Sequence, residues 1–285
     1  MSTDLQTPAM SHPATPMAGA ASDAPRVTAW HVLRSEWIKL WSVRSTTIML
    51  LVVVAILVGF GALAASVSTG HVTTGNGDPG PGRFAADPFS IVMMGSTFAV
   101  LLVGTLGALV GAREFTSGMI RTSVSAVPRR LAVLAAKALT LTVALLPAVV
   151  AGVLGAFWVG MAILSNGGAP TVTFGEAGWA IVGTVGYLLG VGLLGLALGF
   201  LFRSIAGSIS TLIGGLLILP GIIGALLPES WSEVLKYLPS NAASSFDSVT
   251  VPADMLSAGA GIAVFVAWLV LALVAAGYVL RRRDV

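Results

Sequence analysis

Six long apolar runs constrain this chain more than any other feature. They are Thr46–Ser66, Ile91–Ala112, Leu131–Leu164, Ala177–Phe202, Ile205–Leu227 and Ala258–Leu280. A helix rises about 1.5 Å per residue and needs about 20 apolar residues to cross roughly 30 Å of hydrocarbon, and each run meets that length. Charge is correspondingly scarce. Only 9% of the 285 residues are Asp, Glu, Lys or Arg, against about 25% in a soluble domain, and the mean hydropathy is +0.94. Too little charge remains to wet a folded surface, which argues against a soluble enzyme, a disordered scaffold or a nucleic-acid binder. The expectation is an all-α membrane protein with six transmembrane helices.

The organisation follows from what separates the runs. Residues 1–28 carry Pro8, Pro13, Pro16 and Pro25 and no apolar periodicity, which reads as a disordered tail ahead of a single membrane domain over 29–285. The first run starts too late and is too long for a secretory signal, whose apolar core spans about 7–15 residues, so it reads as a helix that stays in the membrane. The third run is overlong. Its first turns are expected at the interface, with the span proper over 137–164 and a kink at Pro147. Arg203 is the only charge between the fourth and fifth runs, which implies a tight helical hairpin. Pro220, flanked by Gly221 and Gly224, is expected to break the fifth run.

With both termini on the cytoplasmic side, 13 of the 15 basic residues fall on that side, and only Arg83 and Lys236 lie outside. The positive-inside rule selects this orientation. The net charge of +3 is thus a topological signal, set at the ends of apolar runs. Glycine supplies 34 residues, about 12% against a usual 7%. Several glycines recur in small-xxx-small spacing (Gly107 and Gly111, Gly186 and Gly190, Gly195 and Gly199), which lets helix backbones approach. Packing within one subunit is the reading given to most of them, with a dimer seam as the alternative.

The runs hold no ionisable side chain near their centres. Lys137 and Glu176 lie at span ends, which disfavours proton-coupled or ion-coupled transport, where buried charges act as relays. A phosphate-binding loop requires Gly-Lys-Ser/Thr after a Gly-rich turn. The three lysines follow Ile38, Ala136 and Leu235, so no such loop exists and ATP would have to be bound elsewhere. There is no Cys, and His12, His31 and His71 lack metal-ligand spacing. Catalytic, cofactor-binding and metal-binding residues are therefore not expected. The acidic residues between the spans (Asp78, Asp87, Glu229, Glu233, Asp247 and Asp254) read as solvated charges on the outer side.

Two basic-side segments stand out. In the first, Trp30, Leu33, Trp37, Leu40 and Trp41 share one helical face, with Ser35, Glu36 and Lys39 placed roughly opposite. This is an amphipathic helix suited to lying in the membrane plane. In the second, Glu114, Gly118, Arg121, Pro128, Arg129 and Arg130 fall between the second and third runs, with Lys137 after them. A short helix over about 114–124 would stop before Pro128, leaving a compact basic projection. On charge alone that projection reads first as a loop in contact with anionic lipid. Beyond the fifth run, Trp231, Val234, Leu235 and Leu238 predict a short amphipathic helix ending at Pro239.

The ordered set Glu114-x-x-x-Gly118, Pro128-Arg129-Arg130 and Lys137, together with the Trp-rich first helix, six runs and the basic end Arg281–Arg283, resembles the permease subunits of ABC-2 type exporters over about residues 29–285. The resemblance implies an N-terminal interfacial (elbow) helix carrying Trp30, Leu33, Trp37 and Trp41. It also implies an ATPase-coupling loop formed or framed by Glu114, Gly118, Arg121, Pro128, Arg129 and Arg130, which docks on a separate ATP-binding subunit. ATP and Mg would be bound by that partner, with no cofactor in this chain. A push on the loop would tilt spans one, two and five and open a path between two permease copies. The implied setting is the bacterial plasma membrane, with membrane lipid around the chain and no nucleic acid. An ATP-independent carrier or channel, or a non-transporting anchor protein, remains the alternative.

Overall fold

The computed structural model describes residues 29–72, 87–116, 130–226, 232–251 and 255–282, and every regular element among them is helical. In chain order these are α1 (Ala29–Trp41), α2 (Arg44–Ser68), α3 (Pro88–Val92), α4 (Gly95–Thr116), α5 (Arg130–Asn166), α6 (Phe174–Phe202), α7 (Ile205–Ile213), a π turn (Gly214–Ile218), α8 (Leu219–Leu226), α9 (Ser232–Leu235), α10 (Pro239–Ser244) and α11 (Ala258–Arg282). Six helical stretches are long and apolar enough to cross a membrane: α2, α4, α5, α6, the α7–π–α8 unit and α11. The fold is that of an all-α, multi-pass membrane protein.

The interior forms along two seams. The tightest joins α4 to α6, and glycine makes it possible. A Cβ on Gly107 would overlap the carbonyl oxygen of Gly192, and one on Gly195 would overlap that of Gly104. A Cβ on Gly199 would come within 2.8 Å of the Ala112 nitrogen. Backbone therefore packs on backbone, gaining dispersion contacts where lipid leaves little hydrophobic drive between helices. The second seam joins α2 to α5, with Leu50, Val53 and Leu57 in one core with Leu141, Leu145, Val149 and Val153. Of the small-xxx-small pairs, Gly107, Gly111, Gly195 and Gly199 serve the α4–α6 seam, and Gly190 receives the ring of Phe265. Gly195→Leu is expected to cost roughly 1–3 kcal/mol, read as a lowered apparent melting temperature. Gly186→Ala, where a Cβ meets open space, should be near neutral in the same measurement.

Element ends differ from the hydropathy reading where packing decides them. The second span begins at Gly95, because Pro88–Val92 is a separate helix and Met93–Met94 a turn. Gly95 sits against the α2 backbone, where a Cβ would lie 2.7 Å from the Ile56 carbonyl oxygen. The third helix begins at Arg130 and is one continuous element across Pro147. The fourth begins at Phe174, capped by a Thr173–Glu176 capping box, in which each side chain meets the other's backbone N–H.

Arg203 ends α6 with φ of 53°, and its N–H donates to the Gly199 carbonyl. Ser204 then caps α7 by accepting from the Gly207 N–H. The predicted tight hairpin thus rests on a left-handed arginine. Pro220 does not break the fifth span. The π turn just before it lets the Leu219 N–H reach the Gly214 carbonyl, a widened turn that accommodates a ring which would otherwise strike the preceding turn.

Beyond α8, the predicted amphipathic helix is interrupted. Residues Ser232–Leu235 form one turn, and Pro239 begins the next helix instead of ending the first, consistent with proline's fitness for a first helical position. Trp231 lies outside the described residues. The segment is anchored by Asn241 Nδ2 donating to the Leu235 carbonyl at 2.9 Å and Trp268 Nε1 donating to that of Tyr237 at 2.9 Å.

Candidate functional site

The strongest concentration of polar chemistry lies at the basic end of the bundle, where α1 meets α5. Successive residues of a helix turn by about 100°, so Leu33, Glu36 and Leu40 form one stripe. That stripe is what α1 turns inward: Leu40 and Glu36 are buried, with Glu36 only 5% exposed. Trp30, Trp37, Ile38 and Trp41 remain exposed, with the Trp37 and Trp41 rings 5.7 Å apart. The sequence-based placement of Glu36 opposite the apolar face is therefore corrected. Glu36 stands about 40° from Leu40, close enough to enter the interior beside it.

Burying a carboxylate is costly unless it is paired. Both oxygens of Glu36 are engaged. Lys137 Nζ on α5 donates to Oε2 at 2.6 Å, and Lys39 Nζ, one turn along α1, donates to Oε1 at 2.8 Å. Lys137 is itself buried, at 3% exposure. It is a structural cation bridging α5 to α1 across 101 residues of sequence, more than the interfacial marker its position suggested.

Beside this pair opens a cavity of about 580 Å³. Glu36, Lys39, Lys137 and Arg113 bring charge to its lining, and Thr46 and Thr140 add hydroxyls. Met49, Leu106, Leu109, Val110 and Ile205 make the lining apolar elsewhere. Thr140 returns its own hydroxyl to the Ala136 carbonyl at 2.8 Å, which hides that proton in the helix.

The last turn of α4 is tied to the α6–α7 hairpin. The Arg203 guanidinium carbon lies 5.0 Å from the centre of the Phe115 ring, and Phe115 meets Phe200 edge-on at 5.6 Å. Such a cation–π contact is worth about 0.5–2 kcal/mol, more when desolvated.

The projection between α4 and α5 is placed only by its roots. Glu114 lies in the last turn of α4 and Arg130 opens α5; Gly118, Arg121, Pro128 and Arg129 lie outside the described residues. Trp30, Leu33, Trp37 and Trp41 all lie on α1 as expected, with Leu33 partly buried. Of the residues that the fold gathers, Lys137 entered the motif reading only as its last member, and Glu36, Lys39, Arg113 and the Phe115–Arg203 contact were given no role in it. A signal existed: a Glu bordering an apolar stripe and a Lys inside an apolar run are conspicuous in a chain so poor in charge.

The opposite end corrects one reading. Asp247 is partly buried, and desolvation raises its carboxyl from 3.8 to about 7. One carboxylate oxygen of Asp87 is buried and has no hydrogen-bond partner among the described residues. These two are not simply solvated loop charges. No group of three metal-ligating side chains forms among the described residues. No family model matches the chain, and no curated protein matches its sequence.

Proposed function

We propose that this chain is the membrane-embedded permease subunit of an ABC-2 type exporter in a bacterial plasma membrane, with both termini cytoplasmic. Two permease copies form the substrate path, and a separate ATP-binding subunit acts on the segment between α4 and α5. The observation that carries this reading is the anchoring of both roots of that segment. Upstream, Phe115 lies under Arg203 at the α6–α7 hairpin. Downstream, Lys137 is bound to Glu36 on α1. A force applied between these roots would reach α1, α6 and α7 through contacts that are short and partly desolvated, so little of it would be lost in side-chain motion.

Two further features support the reading. The exposed indoles of α1 suit a helix lying at headgroup depth. The fifth span contributes least to this subunit's interior: Ile218, Leu219, Ile222 and Leu226 are exposed, and Gly214, Gly215 and Gly221 face open space. That leaves a surface suited to a second permease copy.

The test is charge reversal in the segment itself. The double substitution Arg129→Glu, Arg130→Glu is expected to reduce co-purification of the ATP-binding subunit at least severalfold, or to uncouple ATP hydrolysis from export, while membrane insertion persists. Unchanged assembly and transport would return these arginines to contact with anionic lipid. Full solute movement by the reconstituted chain alone would instead favour an ATP-independent carrier or channel.

A further inference from the structure

We propose that the cavity between α1, α2, α4, α5 and α7 is a binding site for an anionic amphiphile, with its phosphate at the Lys39–Arg113 side and its hydrocarbon along Leu106, Leu109 and Val110. The volume, about 580 Å³, falls within the roughly 300–1,000 Å³ of small-molecule sites. The site is built and not merely a gap. Glu36 and Lys137, each more than nine-tenths buried, line it in a fixed ion pair.

The lining decides the class of ligand. The two Glu36 oxygens each already accept from an ammonium, so the carboxylate is poorly placed to recruit a cation. An ammonium carries three N–H donors and a guanidinium five. Lys39, Arg113 and Lys137 set three cationic side chains against the one carboxylate of Glu36 in the described lining, so its charge favours an anion. The lining also carries an apolar wall, with Leu106, Leu109 and Val110 from α4 together with Met49 and Ile205. A small soluble anion would leave that wall facing water, whereas an acyl chain would cover it, gaining about 25 cal/mol per Å² of apolar surface removed from water.

Depth agrees with this. Two of the cavity's charged groups, Glu36 and Lys39, are on α1, whose exposed Trp37 and Trp41 belong at the level of lipid headgroups. The cavity thus presents cations at the depth where a phospholipid phosphate lies and apolar side chains where its chain begins. It rests on this geometry and not on the presence of an ATPase partner.

The test uses the full chain purified in maltoside micelles and titrated by native mass spectrometry with phosphatidylglycerol, phosphatidylcholine of the same chains, and inorganic phosphate as competitor. Phosphatidylglycerol is expected to bind about tenfold tighter than phosphatidylcholine, whose quaternary ammonium offsets the phosphate charge and is repelled by the cationic lining. Lys39→Gln, at a partly exposed side chain, should remove most of that preference. Leu109→Trp, which fills the cavity and leaves its charges in place, should weaken both lipids about tenfold.

Equal binding of the two lipids, or binding unaltered in both variants, would make them ordinary annular lipid and overturn the proposal. Displacement of phosphatidylglycerol by inorganic phosphate at matching concentration would assign the site to a free anion and overturn the amphiphile. A folded Lys39→Gln protein with unchanged preference would do the same even if Leu109→Trp failed to fold.

Discussion

Lys137→Met is expected to destabilise the protein by about 3 kcal/mol, the lower part of the 3–5 kcal/mol lost when one partner of a buried ion pair is removed. The substitution keeps the length of the side chain, so packing changes little. What changes is that Glu36, 5% exposed, keeps the Lys39 contact alone. Lys39 is partly exposed, with 39% of its side chain open, and in water-accessible surroundings a single i,i+3 pair contributes only a few tenths of a kcal/mol. It cannot replace a buried 2.6 Å contact.

The double substitution Glu36→Met, Lys137→Met is expected to return to within about 1 kcal/mol of the starting protein, because two apolar side chains of similar volume remove the desolvation cost along with the attraction. Equilibrium unfolding in mixed detergent micelles measures both, and the difference gives the coupling energy. If the single and double variants lost equal stability, packing alone would hold α1 to α5. Under the proposed function, the double variant has a second use. It would keep the fold while replacing the bridge between the segment's downstream root and α1 with a softer contact, so export should fall more than stability does.

Much of the architecture was legible in hydropathy, since a span of about 20 apolar residues in a chain with 9% charge has few other fates. What hydropathy missed depends on neighbours that lie far off in sequence. The break at Met93–Met94 exists because Gly95 meets the α2 backbone. The π turn before Pro220 is a repair of the helix that the proline itself demands, and apolar composition is the same either way. Pro239 permits both ending and starting a helix, and the bond from Trp268 to the Tyr237 carbonyl shows how tertiary contact holds the turn before it. The capping box at Thr173 and Glu176 was readable from its spacing, yet it lies just ahead of an apolar run that drew the eye inward.

The candidate site was legible only in part for a similar reason. Periodicity put the indoles of α1 on one face, and that face is the one left exposed. Which edge of the stripe turns inward was decided by the cation waiting on α5, and a helical wheel drawn for α1 alone contains no Lys137. Conversely, motif order points to the segment between α4 and α5, while the contacts that the fold forms lie at its roots, in Phe115, Arg203 and Lys137.

Acidification is expected to stabilise the opposite end of the bundle through Asp247. Gly183 on α6 lets the chain come so close that a Cβ there would overlap the Phe246 carbonyl oxygen. Phe246 is buried beside Phe265, with ring centres 5.9 Å apart. This draws the Asp247 carboxyl out of water and raises it to about 7 from 3.8, against the lowering effect of its own backbone N–H.

The unfolded carboxyl ionises near 3.8 and the folded one near 7, so the native state binds the extra proton between those values. Stability is then fullest below about pH 4, declines as pH rises through 7, and levels off above it. At about 1.4 kcal/mol per pKa unit the upper bound is about 4.5 kcal/mol, reduced where water reaches the partly buried group. Asp247→Asn keeps the shape and carries no charge. It should melt several degrees above the unsubstituted protein at pH 8 and nearly match it at pH 4.5. Tyr187 on α6 is the ionisable side chain that feels the Asp247 charge, while desolvation raises Asp247 itself. Tyr187→Phe therefore serves as the control that separates removal of a phenol from removal of the carboxylate. Parallel pH–melting curves for Asp247→Asn and the unsubstituted protein would show that this carboxyl is solvated after all.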